Sequence, residues 1–215
     1  MMDIPFCVEA VLFDFDGTLT KPGSIDFKHI KKVIGCPAES FILEFIDSLD
    51  DQVQKGKTIS ILETFESKSA ICSKPNNGAE ELLLYLVSNG IKIGILSRNS
   101  LESIKKSLKN FKIIKAADFD VIVTRDDPVR PKPDADGVVL AAKKMQVNVK
   151  EMLVVGDFLF DIQAGKNAGS TTVFLDNGLK HDFPNPKSDF TISQLDKLKG
   201  IIRKGLPLFS EKMDQ

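Results

Sequence analysis

The sequence predicts an α/β fold: a doubly wound parallel sheet with helices on both faces and a small α-helical cap inserted after the first strand. Three observations carry this reading. Short apolar runs at 8–13, 91–96, 121–123, 152–155 and 171–174 suit strands buried on both faces, as parallel strands are. Helix-like stretches alternate with them, which implies right-handed crossovers in one sheet. Only between the first two runs does the alternation fail, because residues 21–75 show helical texture and no strand.

In chain order, the first strand ends at Asp14 and is followed by turn material, Thr20-Lys21-Pro22-Gly23-Ser24. Helices are expected over about 27–34, 39–49 and 58–71, with Gly35-Cys36-Pro37 separating the first two. Past Lys74-Pro75, an asparagine cap, acids at Glu80 and Glu81, an apolar stretch and Gly90 describe a further helix. A second strand ends on Ser97-Arg98-Asn99, and Ser100 caps a helix with Leu101, Ile104 and Leu108 at i, i+3 and i+7. The third strand ends at Thr124, and a polar loop leads to Lys132-Pro133, where Asp134 caps a helix running to about Met145. A fourth strand ends on Gly156-Asp157, a helix over 160–168 stops at Gly169, and a fifth strand follows. Residues 190–192 suit a sixth strand, 195–203 a closing helix, and 203–215 a loosely held tail.

Composition narrows the function classes. The 215 residues are 42% hydrophobic and 27% charged, ordinary for a globular domain with a sizeable core. A net charge of −1 gives no field favouring nucleic acid or an anionic membrane, so neither partner is expected. With no run of 18 apolar residues and a strand close to the N-terminus, no spanning segment or leader is expected. Cys7, Cys36 and Cys72 lack metal-ligand spacing and read as free thiols in a reducing cytoplasm. His29 and His181 stand alone and receive no role.

In a parallel sheet, ligands bind beyond the carboxyl ends of the strands. At those ends stand Asp14 and Asp16, Ser97, Lys132 one loop past its strand, and Asp157. Polar residues far apart in sequence thus converge on one edge. Asp14 and Asp16 repel each other at such close spacing, so either a cation sits between them or one holds its proton tightly. Both are working states for phosphoryl chemistry.

The segments Asp14-Phe15-Asp16-Gly17-Thr18-Leu19, Ser97, Lys132-Pro133-Asp134 and Gly156-Asp157…Asp161 resemble, in order, the four motifs of the haloacid dehalogenase (HAD) superfamily. The pattern is most similar to phosphatases of the phosphoglycolate phosphatase and β-phosphoglucomutase branch. The resemblance implies Asp14 as nucleophile and Asp16 as general acid/base. It implies Mg²⁺ as cofactor, held by the Asp14 carboxylate, the Asp16 backbone carbonyl and the Asp157 carboxylate. Ser97, Arg98 and Lys132, with Gly17 and Thr18, are then expected around the phosphoryl group, and Asp161 and Asn99 in support. One departure stands out: Phe158 occupies the place where the family often has Ser or Thr.

The resemblance further implies a core domain over 1–20 and 76–215 and a helical cap over 21–75, hinged near Pro22-Gly23 and Lys74-Pro75. The expected activity is Mg²⁺-dependent hydrolysis of a small phosphomonoester, phosphoglycolate- or sugar-phosphate-like, by a cytoplasmic monomer or weak homodimer. The alternatives are a phosphomutase, which shares every core residue, and a non-catalytic phosphate-binding scaffold. Mixed acids and lysines in the cap read as a solvated helix face and leave the substrate open.

Overall fold

The structure, a computed structural model, describes residues 8–178 and 187–205. Cys7, His181 and the tail 206–215 lie outside the described residues.

Six strands form one sheet: β1 Ala10–Phe13, β2 Lys92–Leu96, β3 Val121–Val123, β4 Met152–Gly156, β5 Thr171–Leu175 and β6 Phe190–Ile192. The order is β3-β2-β1-β4-β5-β6 and every pairing is parallel. The expected sheet is therefore the observed one. The strands sort their side chains with period two. Val11 and Phe13 face a core that includes Leu82, Leu86 and Ile104, while Ala10 and Leu12 face one that includes Val138 and Ala142. Both faces are covered, by α4 Ala79–Ser88, α5 Leu101–Leu108 and α8 Leu198–Gly205 on one side. On the other lie α6 Asp136–Met145 and α7 Leu159–Ala168.

The topology fixes where a ligand belongs. From β1 the chain winds outward through β2 and β3, then returns to β4 on the opposite side of β1. The winding direction reverses between β1 and β4, and a crevice opens beyond their carboxyl ends. Phe13 pairs with Val155, so Asp14 and Asp157 leave adjacent strands near one level.

Between β1 and α4 stand three helices: α1 Phe27–Ile34, α2 Ile42–Asp47 and α3 Gln52–Cys72. They bury Ile30, Ile42, Ile46 and Leu62 in an apolar centre of their own. Two chain crossings tie them to the rest, and these crossings pair with each other. Lys21 N donates to Lys74 O at 2.9 Å, Asn76 N to Leu19 O at 2.8 Å, and Thr20 bridges Pro75. The Asn110 amide donates to the Ala70 and Ser73 carbonyls (2.8 and 3.0 Å), satisfying the open end of α3 from the core side.

Three elements differ from the sequence expectation. Helix α3 begins at Gln52, where the Asp51 carboxylate accepts from Val53 N at 2.8 Å. Its first turns are polar and contain Gly56, so apolar periodicity does not reveal them. Helix α2 starts late because Phe41 stays extended (ψ 146°), and the Phe41 ring packs 4.5 Å from Phe160. The residue flanking the start of α4 is Gly78, not an asparagine, because the Asn76 amide is committed to the turn after β1.

Candidate active site

The site grows out of the end of β1. Asp14 N donates to Val155 O at 2.8 Å, the last ladder bond before the backbone bends. Asp16 remains extended (φ −80°, ψ 123°) and Gly17 turns left-handed (φ +83°). That turn needs glycine twice over. A side chain resists the positive φ, and a Cβ at Gly17 would stand 2.1 Å from Asp157 Oδ2. The turn is held from behind: Asn177 donates to Gly17 O at 2.8 Å and Asn76 to Thr18 O at 3.0 Å.

Lys132 enters from the loop after β3 and is almost fully buried. An ammonium has three protons to place. They go to Asp14 Oδ1, to Asp161 Oδ1 at 2.6 Å and to the Leu96 carbonyl at 2.8 Å. Burial opposes the charge on Lys132, yet Asp14 and Asp161 lift its pKa above the ordinary lysine range. It stays cationic at any working pH.

Asp157 follows β4. Its Oδ1 accepts from the Thr18 hydroxyl at 3.1 Å, and Asn177 approaches its Oδ2 at 3.5 Å. Asp161 lies in the first turn of α7, where its Oδ2 accepts from Phe158 N at 3.0 Å. Burial, then the charges of Asp14 and Asp161, hold the Asp157 carboxyl well above its usual range. Burial pushes Asp161 to about 6 against the pull of Lys132.

Asp14, Asp157 and Asp161 each offer a carboxylate oxygen within 4.8 Å of the others. With all three carboxylates ionised against the one ammonium, two negative charges would stand uncompensated in this corner. Hard oxygen donors with excess negative charge fit a small divalent cation such as Mg²⁺. The Asp16 carboxyl takes no part in this group, since its Oδ2 accepts from the Asn99 amide. Burial and the neighbouring Asp14 charge raise Asp16 to about 7. Two carboxyl groups two residues apart therefore sit in different electrostatic settings, one paired with lysine and one poised to exchange a proton near neutrality.

A cavity of about 460 Å³ opens over these groups, roofed by α1, α2 and α3. Ser97 and Asn99 line it, and the Ser97 hydroxyl accepts from Asn99 N at 3.2 Å. Arg98 also lines it, with two of its donors engaged. The guanidinium reaches Glu44 on α2 and the Lys132 carbonyl at 2.9 Å, and it stacks 4.9 Å from the Phe160 ring. Thr18 is fully buried and its hydroxyl serves Asp157. Phe158 turns toward the roof, with ring centres 5.1 Å from Phe160 and 6.2 Å from Phe41.

The structure thus gathers Asp14, Asp16, Ser97, Lys132, Asp157, Asp161, Asn99 and Gly17 around one crevice. Sequence reasoning read an asparagine of the Asn76-Asn77 pair as a helix cap and gave Asn177 no role. The Asp176-Asn177-Gly178 cluster beyond β5 is a polar strand end on the same edge, which was the available signal. Glu66 on α3 was also missed. It is 2% exposed, pairs with Arg125 beyond β3, and its Oε2 accepts from Ser100 N at 3.4 Å.

Comparison with known proteins agrees with this architecture. A model of the haloacid dehalogenase-like hydrolase family matches residues 20–175, beginning just past Asp16. An uncharacterized hydrolase of Saccharomyces cerevisiae, YOR131C, is 35% identical over 172 residues, 79% of this chain and 78% of its own. The N-acetylmuramic acid 6-phosphate phosphatase of Pseudomonas aeruginosa is 26% identical over 197 residues, 83% of this chain and 86% of that one. A solved structure of a hydrolase from Pseudomonas syringae superposes with a TM-score of 0.75 at 23% identity, covering 91% of this chain and 98% of that one. No helix among the described residues is long and apolar enough to cross a membrane.

Proposed function

The chain belongs to the haloacid dehalogenase-like hydrolases, and from that premise we propose that it is a Mg²⁺-dependent phosphatase of small phosphomonoesters acting through a phosphorylated Asp14. One observation carries the reading: Asp14 is paired with Lys132 while Asp16, two residues on, is held near a pKa of about 7. Those are the states that a nucleophile and a general acid require.

The Asp14 carboxylate attacks phosphorus and the bond from phosphorus to the ester oxygen breaks. Asp16 delivers its proton to the departing alkoxide. In the second half, Asp16 takes a proton from water, the hydroxide attacks the phosphoaspartate, and the Asp14–phosphorus bond breaks to release inorganic phosphate. Asn99 orients the Asp16 carboxyl between these steps. Lys132 and Ser97 supply the cationic and hydroxyl donors for the phosphoryl oxygens. A Mg²⁺ held by Asp14 and Asp157, with Asp161 beside them, would cancel the repulsion between the carboxylates and the phosphate. Residues 21–75, with their own apolar centre and paired crossings, act as the cap that closes over the crevice.

The relative named as an N-acetylmuramic acid 6-phosphate phosphatase supports phosphomonoester hydrolysis as the chemistry. The test is phosphate release from a panel of phosphomonoesters, with Mg²⁺ and with EDTA, for wild type and Asp14→Asn. Turnover that requires both Mg²⁺ and Asp14 is expected. A near wild-type rate in Asp14→Asn would overturn the nucleophile assignment, and isomerised sugar phosphate without free phosphate would indicate a mutase.

A further inference from the structure

We propose that the leaving group of the substrate carries a flat aromatic ring, seated between the helical cap and the sheet edge on Phe27 and Phe41. The proposal rests on the phosphatase reading of the same crevice and specifies what that crevice selects. The first observation is exposure. Phe27 is 50% and Phe41 40% exposed, yet both line the cavity that holds Asp14 and Lys132. Water covers these rings when the cavity holds no ligand, and an aromatic leaving group would displace it.

The second observation is the state of the polar groups around them. A polyhydroxylated leaving group needs free donors and acceptors on the cavity wall, because a buried hydroxyl without a partner is costly. Several charged groups of this wall are already partly committed. The Lys31 ammonium donates to Ala38 O at 2.6 Å, the Glu66 carboxylate is held by Arg125 and Ser100, and the Arg98 guanidinium by Glu44 and Lys132 O. The wall away from the phosphoryl end therefore offers exposed rings beside partly committed charged groups, a surface suited to a π-face.

The third observation is the arrangement of cations about those rings. Lys31 lies 6.0 Å from the Phe41 ring centre, and Arg98 lies 4.9 Å from that of Phe160, which itself packs on Phe41. Cation and ring surfaces together hold an aromatic plane better than either alone. A nucleoside 5′-monophosphate or another heteroaromatic phosphomonoester has this chemistry: phosphate at one end, a flat ring at the other.

The experiment uses a matched pair. AMP and ribose 5-phosphate present the same primary phosphate ester and differ by the aromatic base. Stacking of one base on aromatic side chains is worth about 5- to 150-fold in binding. The expected result is kcat/KM at least about tenfold higher for AMP, expressed mainly in KM, with the ratio falling toward one in Phe41→Leu and Phe27→Leu. Equal turnover of the pair, preference for ribose 5-phosphate, or a ratio unmoved by both substitutions would overturn the proposal. A second measurement separates this failure from that of the phosphatase reading. Titration calorimetry of AMP and ribose 5-phosphate into Asp14→Asn protein with Mg²⁺ reads the preference without turnover. Tighter AMP binding that weakens in Phe41→Leu supports the aromatic subsite even if no ester is hydrolysed, and equal binding of the two overturns it.

Discussion

Replacing Lys132 by Met tests the electrostatics of the site directly. The substitution keeps an unbranched apolar stem and removes the ammonium that pairs with Asp14 and Asp161 and donates to Leu96 O. It leaves Asp14, Asp157 and Asp161 within 4.8 Å of one another with no internal cation. Removing one partner of a buried pair costs about 3–5 kcal/mol, because the other charge stays behind unsolvated. A loss of about 3 kcal/mol at pH 7.5 in EDTA is expected, a large share of the 5–15 kcal/mol typical of a domain. The loss shrinks at pH 5, where Asp161, already raised to about 6 with lysine present, holds a proton and needs no counter-charge. Mg²⁺ stabilises the variant more than wild type, since it supplies the missing positive charge. At a hundredfold excess over Kd, a bound ion adds about 2.7 kcal/mol. Urea unfolding at pH 5 and 7.5, with EDTA and with Mg²⁺, measures all three effects at constant m. A loss below about 1 kcal/mol at pH 7.5 in EDTA, or an equal loss at both pH values, would refute the reasoning.

Three further outcomes follow from the same geometry. In metal-free protein, Asp16 at about 7 and Asp161 at about 6 bind protons more tightly than the unfolded chain does near 3.8. Stability in EDTA therefore falls as pH rises from about 5 through 7, and Asp16→Asn flattens the fall; denaturation at pH 5, 6.5 and 8 giving a rise would contradict this. Gly17→Ala meets a positive φ and Asp157 Oδ2 at 2.1 Å, so about 1–2 kcal/mol of stability is lost and Asp157 is displaced. The Mg²⁺ concentration for half-maximal activity should rise by about tenfold, 1.4 kcal/mol of binding, and an unchanged requirement would disprove the contact. Glu66→Ala strands the buried Arg125 guanidinium, whose remaining ionic partner is Glu63 at 3.6 Å, so thermodynamic stability should drop by about 3 kcal/mol. A drop below about 0.5 kcal/mol, the range of ordinary surface changes, would show the pair to be solvated.

The sequence alone determined the layered α/β plan and the edge that carries the candidate site. Apolar runs with helices between them dictate a covered parallel sheet, and such a sheet puts every strand end on one side. Asp14, Asp16, Ser97, Lys132 and Asp157 were legible because each breaks an apolar pattern at a strand end or in the loop beyond. What tertiary structure decided is which groups satisfy one another. The Asn76-Asn77 pair reads as a helix cap in one dimension, yet the Asn76 amide holds the Thr18 carbonyl. Arg98 reads as a phosphate ligand, and its pairing with Glu44, 54 residues away in sequence, shows only in the packed chain. Glu66 sits in a helix whose sequence gives no sign that this acid is buried against Arg125. Local pattern reports which face of an element is apolar, but hydrogen bonds and ion pairs span tens of residues of sequence, and only the packed chain brings their partners within reach.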